Sequence, residues 1–488
     1  MSKNVIIIGS GVAGLATAIR LSSKGYKVRV FESNNYIGGK ISEIRKNGYR
    51  FDKGPSLFTM PQLVDELVKI GYPNTDKKFE YKKIETTCRY FFNDGTILNT
   101  FSDNERFVNE VTNKLDVNSQ LVRKHLKYVS FLFRSTNKIF IQKSLHKLST
   151  YLSFETLISF FKIPFLGIFN TMNKINTQRL KNSKLIKIFN RYATYNGSNP
   201  YIAPAILNVI SHLEFNDGVF LPKKGMRSIV DCLHEICVKN GVVFELSSRV
   251  DKIKITNNKV NGVYSNNKFF TAEVVVSNID IHYVYSKLIK KPYLLTNQSK
   301  KNRSTSAIIF YWGIKKTFTK LSLHNILFAS DYENEFNEIE NSKNIQKDPT
   351  IYINITSKHI TSDAPKNCEN WFVMINVSHN TGQDWRLLVQ NARKKIISKI
   401  NRFLDTDIEN FIEYESYMDP THIELKTGSY QGALYGASSN SRMSAFLRHP
   451  NFSSKIKNLY FCGGTVHPGG GIPLVLNSAK IVANEIIS

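Results

Sequence analysis

The sequence predicts an α/β fold, and three stretches carry that expectation. An apolar run without alternation, Val5-Ile-Ile-Ile8, passes directly into Gly9, Gly11 and Gly14. A second strand follows at Lys27-Val-Arg-Val-Phe-Glu32. A glycine-rich tail, Leu459-Tyr-Phe-Cys-Gly-Gly-Thr-Val-His-Pro-Gly-Gly-Gly-Ile-Pro473, runs into a helix-like end. Strands apolar on both faces suit a parallel sheet covered by helices. At 488 residues the chain has room for more than one domain. The implied architecture is a discontinuous Rossmann-like domain spanning 1–70, 215–290 and 415–488, with an α+β domain inserted as 71–214 and 291–414.

Each part of the first unit has a physical reason. Gly9 permits a tight turn after the strand, Gly11 lets the backbone approach a pyrophosphate, and Gly14 lets a helix from Leu15 to Lys24 pack close to the sheet. Ser10, Val12 and Ala13 complete the turn, and the pyrophosphate sits on the helix N-terminus, where free N–H groups favour an anion. Glu32, followed by Ser33, falls where the ribose hydroxyls of an adenosine are read. Gly38-Gly39-Lys40 then places a flexible turn and a cation where a second phosphate clamp is expected.

Farther along, the loop Gly48 to Pro61 contains Gly54-Pro55-Ser56, which are expected to contribute to cofactor binding. A strand pair at Arg89-Tyr-Phe-Phe and Thr96-Ile-Leu is joined by the turn Asn93-Asp-Gly95. A helical pattern reaches Val238, and strands are expected at Val242-Val-Phe-Glu-Leu, Val250-Asp-Lys-Ile-Lys-Ile and Val274-Val-Val-Ser277. More strands follow at Ala307 to Trp312, Thr350 to Ile355 and Trp371 to Val377. The polar run Tyr332 to Lys347 reads as a solvated loop, and a helix is expected from Trp385 to Phe403.

The formal charge of +27 is unusual for a chain with an ordinary 42% of hydrophobic residues. It is concentrated: residues 121–191 hold fourteen Lys and Arg against the single acid Glu155. Aromatic and aliphatic clusters, including Leu157 to Phe169, are interleaved with these bases. That pattern suits a mainly helical segment lying on an anionic membrane surface, or a helical domain whose own core takes the apolar faces. No accompanying feature points to nucleic acid. No apolar stretch reaches the roughly 20 residues needed to span a bilayer, so peripheral attachment is expected. Five cysteines without metal-ligand spacing fit reduced thiols, no metal and a cytoplasmic setting. The N-terminal apolar run enters the glycine turn rather than a cleavage site, so no signal peptide is expected.

With these motifs together, the chain resembles the FAD-dependent carotenoid desaturases, a branch of the flavin amine oxidase superfamily. The resemblance runs through Val5 to Glu32, Gly38-Gly-Lys40, Phe51-Asp-Lys-Gly-Pro55, Leu221-Pro-Lys-Lys-Gly-Met226, Val276-Ser-Asn-Ile-Asp280 and Phe461 to Pro473. It implies that Gly9, Gly11 and Gly14 carry the pyrophosphate of FAD, Glu32 the ribose, the backbone at Val250 the adenine, and Gly464-Thr465 the ribityl chain. Lys40, Lys53 and Thr465-Val466 depart from the commoner family pattern, which leaves the substrate open. The Gly-Pro-Ser loop and the tail look most like the branch that forms a 3,4 double bond in 1-hydroxylated acyclic carotenoids. Phytoene or diapophytoene desaturases are the alternative. Carotenoid isomerases, oxidases and a non-catalytic prenyl-lipid carrier are more distant.

The chemistry implied is loss of a hydride from an allylic carbon to flavin N5 and of a proton from its neighbour, with oxygen or a quinone as final electron acceptor. Pro473, read as the first residue of a terminal helix, directs that helix's dipole at the reduced flavin, with Gly471 and Ile472 beside it. The glycines 469–471 let backbone approach flavin and polyene. His467 is the candidate acid/base group, with Asp52 and Glu214 as possible partners.

Overall fold

The computed structural model describes residues 3–74, 76–151, 166–296, 303–342, 344–441 and 447–488. Most of the apolar run Leu157 to Phe169 and its acid Glu155 lie outside the described residues. A five-stranded parallel sheet holds the centre of the first unit, in the order Leu459–Phe461, Val274–Ser277, Asn4–Ile8, Lys27–Phe31 and Val243–Glu245. Three separated stretches of chain therefore build one sheet. Helices Val12–Ser22, Arg227–Lys239 and Ile472–Ile487 contribute to the core on one side of it. The antiparallel strands Val250–Thr256, Lys259–Ser265 and Lys268–Thr271 help cover the other side, around Ile6, Ile8 and Phe31.

The second unit is a seven-stranded sheet in the order Ile412–Met418, Ser306–Ile314, Glu369–Val377, Ile351–Asn354, His324–Leu327, Thr86–Phe91 and Ile97–Phe101. Only His324–Leu327 and Thr86–Phe91 run parallel. The expected hairpin is present: Gly95 takes φ +84°, and Asp94 Oδ1 accepts from Thr96 N at 3.1 Å. Helix Trp385–Leu404 buries Leu388, Val389, Ile396 and Ile400 against this sheet.

Two expectations need correction. The polar run from Tyr332 is a helix, Tyr332–Asn341, rather than a solvated loop. Asp331 caps it by accepting from Asn334 N at 2.9 Å, and Tyr332, Phe336 and Ile339 are buried on one face. That i, i+4, i+7 spacing outweighs the polar composition of the other face. The terminal helix begins at Ile472, so Pro473 is its second residue.

The basic segment packs part of its apolar surface into the protein and leaves part exposed. Helix Ser119–Thr136 buries Val122, Leu126, Val129 and Leu132 in the protein's own cores, while Phe131 is 36% exposed and, farther on, Phe169 is 67% exposed. Among the described residues no helix is long and apolar enough to cross a membrane.

Candidate active site

A single cavity of 1110 Å³ runs from the glycine turn to the seven-stranded sheet. It exceeds the roughly 300–1,000 Å³ of an ordinary small-molecule site, so it has room for a cofactor and a second ligand. Gly9, Gly11, Glu32, Val250, Gly464 and Pro473 line one part. Phe133, Ile141, Leu207, Ile210, Phe372 and Met374 line another. The first part is a backbone cradle and the second is largely apolar.

The cradle requires its glycines. Gly9 takes φ +96°, and a Cβ on Gly14 would lie 2.2 Å from the Gly9 carbonyl oxygen. A Cβ on Gly11 would meet Asn278 Nδ2 at 2.8 Å. Helix Val12–Ser22 starts at Gly11 without a side-chain cap, which leaves its first-turn N–H groups for an anion. Gly54 takes φ +107° and approaches the Lys40 carbonyl so closely that a Cβ would stand 2.0 Å away. An uncapped helix start beside a cradle that side chains would fill fits the diphosphate of FAD.

Glu32 is buried and already ordered. Its Oε2 accepts from Ser10 N at 3.0 Å and Ser10 Oγ at 2.7 Å, and its Oε1 accepts from Asn34 N at 2.9 Å. These bonds fix the carboxylate where it lines the cavity. Lys40 also reaches the cavity, where Nζ donates to the Leu434 carbonyl at 2.7 Å. Its surface opens to the hollow while protein surrounds it. Desolvation lowers its pKa to about 8, against the opposing pull of Asp280.

At the tail, Gly471 has φ +105° and caps helix Ile472–Ile487 without a side-chain bond. The amides of Ile472 and Leu474 have no partner within the helix, and both residues line the cavity. They favour an electron-rich group there. Arg448 secures this region from behind, and it is 3% exposed.

Of the expected site residues, Val12, Ala13, Ser33, Gly38, Gly39, Lys40, Gly54, Pro55, Ser56, Thr465, Gly471 and Ile472 line the cavity with those already named. Ser10 and Gly14 stand behind it: Ser10 is bonded to Glu32 and Gly14 is packed on Gly9. His467 is a correction. It is buried outside the cavity lining, and its Nε2 donates to the Lys143 carbonyl at 2.9 Å, so it ties the tail to the basic segment. Asp52 and Glu214 are likewise engaged elsewhere. Arg50 donates to Asp52 Oδ1 at 2.7 Å, and Tyr192 donates to Glu214 Oε2 at 2.7 Å.

Sequence reasoning missed Asn278, Arg448 and Tyr352. Asn278 sits within the Val276 to Asp280 motif, but only the fold shows it between Gly11 and Gly463. Among the described residues no group of three His, Cys, Asp or Glu side chains is placed to hold a metal.

Comparison with known proteins agrees with this geometry. The family described as flavin containing amine oxidoreductase matches residues 12–487. A 1-hydroxycarotenoid 3,4-desaturase from a Flavobacterium species is 50% identical over 99% of both chains. A 4,4'-diaponeurosporene oxygenase from Staphylococcus haemolyticus is 28% identical over 99% of this chain and 97% of its own. The solved cyclohexylamine oxidase from Brevibacterium oxydans superposes with a TM-score of 0.63 over 100% of both chains at 14% identity, which shows the fold.

Proposed function

The chain belongs to the flavin-containing amine oxidoreductase family and is an FAD-dependent oxidoreductase, and from that premise we propose that it forms the 3,4 double bond of a 1-hydroxylated acyclic carotenoid. The observation that carries this reading is the 50% identity to a 1-hydroxycarotenoid 3,4-desaturase over 99% of both chains. The diaponeurosporene oxygenase, at 28%, is much more distant. The cavity supports the same substrate class, because its apolar part suits a long hydrocarbon.

When bound, FAD supplies the hydride acceptor that reacting carbons offering only C–H bonds require. The chain's own groups bind and orient. Phe133, Ile141, Leu207 and Ile210 exclude water and hold a polyene. The free amides of Ile472 and Leu474 stabilise negative charge at the tail. The glycine turn and Glu32 fix the nucleotide.

The basic segment supports entry from an anionic membrane surface, with the enzyme attached peripherally on the cytoplasmic side. Phe133 and Phe140 face the cavity, while Phe131 on the same segment is exposed among lysines and arginines. Free cysteines at 88, 232, 237, 368 and 462 suit a reducing compartment.

The test is chromatography of pigments after expression with acyclic precursors that do or do not carry a 1-hydroxyl. Formation of a 3,4-didehydro product from the hydroxylated precursor is expected. Conversion of phytoene alone would replace this reading with the phytoene desaturase alternative.

A further inference from the structure

The wall of the cavity carries polar groups that a hydrocarbon cannot satisfy. Ser56, Arg191, Thr194, Tyr195 and Tyr352 all line it. Facing such groups with bare polyene costs free energy unless they are paired. Arg191 and Tyr195 are paired with each other at 2.9 Å, and Thr194 Oγ1 donates to the Arg191 carbonyl at 2.7 Å. Ser56 and Tyr352 form a separate chain, which has a direction.

That direction is set from the protein interior. Asn354 Nδ2 donates to the Leu323 carbonyl at 3.1 Å, which fixes its amide, and it lies 3.1 Å from His324 Nδ1. His324 is 2% exposed, and burial, reinforced by the Arg191 charge, pushes its pKa down to about 3. The ring is therefore neutral, and with an amide donor facing it, Nδ1 carries the lone pair. Tyr352 must donate to Nδ1 at 2.7 Å. Its only proton is then committed, so in the 2.7 Å contact between Ser56 Oγ and Tyr352 the serine donates. Among the described residues Ser56 Oγ has no other hydrogen-bond partner. It is left with unused lone pairs on the cavity side, as an acceptor without a proton to offer.

We propose that Ser56 recognises the 1-hydroxyl of the substrate by accepting its hydrogen bond, with Tyr352, His324 and Asn354 as the positioning residues that hold Ser56 in this role. The assignment rests on the substrate class given under Proposed function. Its placement fits the reaction. In a 1-hydroxycarotenoid only C2 separates the hydroxyl carbon from C3, so a group gripping the hydroxyl must stand beside the bond to be oxidised. Ser56 follows Gly54 of the cradle in the same loop and bonds to Tyr352, which lines the cavity with Phe372 and Met374, so it joins the cofactor part of the cavity to the apolar part. A substrate with hydrogen in place of the hydroxyl leaves the acceptor unpaired, and the loss of one such bond is worth about tenfold in affinity.

The test compares Ser56→Ala and Tyr352→Phe with the wild-type holoenzyme, on a 1-hydroxycarotenoid and its dehydroxy counterpart. Flavin content normalises the rates, and binding is followed by the carotenoid absorption band. Both variants are expected to lower the ratio of kcat/KM for the hydroxylated over the dehydroxy substrate by about tenfold, chiefly through KM. Tyr352→Phe keeps the ring and the cradle, so it carries the test if Ser56→Ala loses flavin. Equal loss on both substrates, or an unchanged ratio, overturns the assignment. A wild-type enzyme that converts the dehydroxy substrate equally well overturns the substrate reading itself, whatever the variants do.

Discussion

Arg448 Nη1 donates to the carbonyl of Gly464 at 3.2 Å and, through the same nitrogen, to that of Tyr435 at 2.7 Å. Its Nη2 donates to Asn196 Oδ1 at 2.9 Å and Ser439 Oγ at 3.1 Å. No carboxylate pairs with it among the described residues, and burial draws its pKa down to about 10. A buried guanidinium thus serves as a four-way tie between two cavity-lining loops and the substrate side. Arg448→Leu is expected to strand these acceptors and lower unfolding stability by about 2 kcal/mol or more, measured by urea denaturation. Unchanged stability would show that the tie is dispensable.

Two glycine substitutions are expected to fail differently. A Cβ at Gly14 meets backbone, the Gly9 carbonyl at 2.2 Å, so Gly14→Ala loses bound flavin, read from the absorbance of the purified protein. A Cβ at Gly470 meets a side chain, Tyr435 Cδ1 at 2.7 Å, which can turn aside. Gly470→Val is therefore expected to retain some flavin with a disturbed spectrum and abolish turnover. Full activity in that variant would remove the tail from the active site.

His467→Asn should keep its turnover and the shape of its pH–rate profile, because the imidazole bonds to the Lys143 carbonyl and does not line the cavity. A loss of about a hundredfold or more in kcat would restore it as the acid/base group.

Lys40 links cofactor binding to pH. Its folded pKa of about 8 lies below the ordinary 10.5, chiefly through desolvation. In the flavin-free protein the unfolded chain therefore binds more protons between pH 8 and 10.5, and Lys40 makes stability rise with pH across that window. The effect is small because the side chain opens to solvent in the hollow. FAD affinity runs the opposite way. The ammonium that attracts a phosphate is lost as pH rises through about 8, so Kd should increase. Titrations of wild type and Lys40→Met over this range check both signs, since the variant should lack both contributions.

Attachment to membranes is expected to be electrostatic first and apolar second. The protein should co-sediment with anionic liposomes at low salt and be released as ionic strength rises. Phe169→Ser, at a residue 67% exposed, should weaken binding further. No binding at low salt would return residues 121–191 to an ordinary helical domain.

Much of the nucleotide half was readable from local pattern. Val5 to Gly14 and Lys27 to Glu32 declare strand, turn and acid through spacing alone, because each role is set by neighbours a few residues away. The substrate half was less readable. Arg191 looked like one more base in a cationic run, yet it is buried among tyrosines 90, 192 and 195. Asp52 looked available for proton transfer until Arg50 and Asp363 were brought together with it. Tyr352 and Ser56 lie far apart in the chain and meet only because the seven-stranded sheet adjoins the loop after Gly54. Pairings of this kind are decided by strand order, which no local periodicity encodes.

The central sheet also sets a timetable for synthesis. Its edge strand Leu459–Phe461 and the helix Ile472–Ile487, which packs with Val12–Ser22 in one core and accepts a bond from Tyr26 at Ile486, leave the ribosome long after the glycine turn they enclose. The glycine turn, made earlier, must wait for them before its pocket has a wall. Flavin loading is thus a late event, and a chain stopped before Leu459 is expected to emerge colourless.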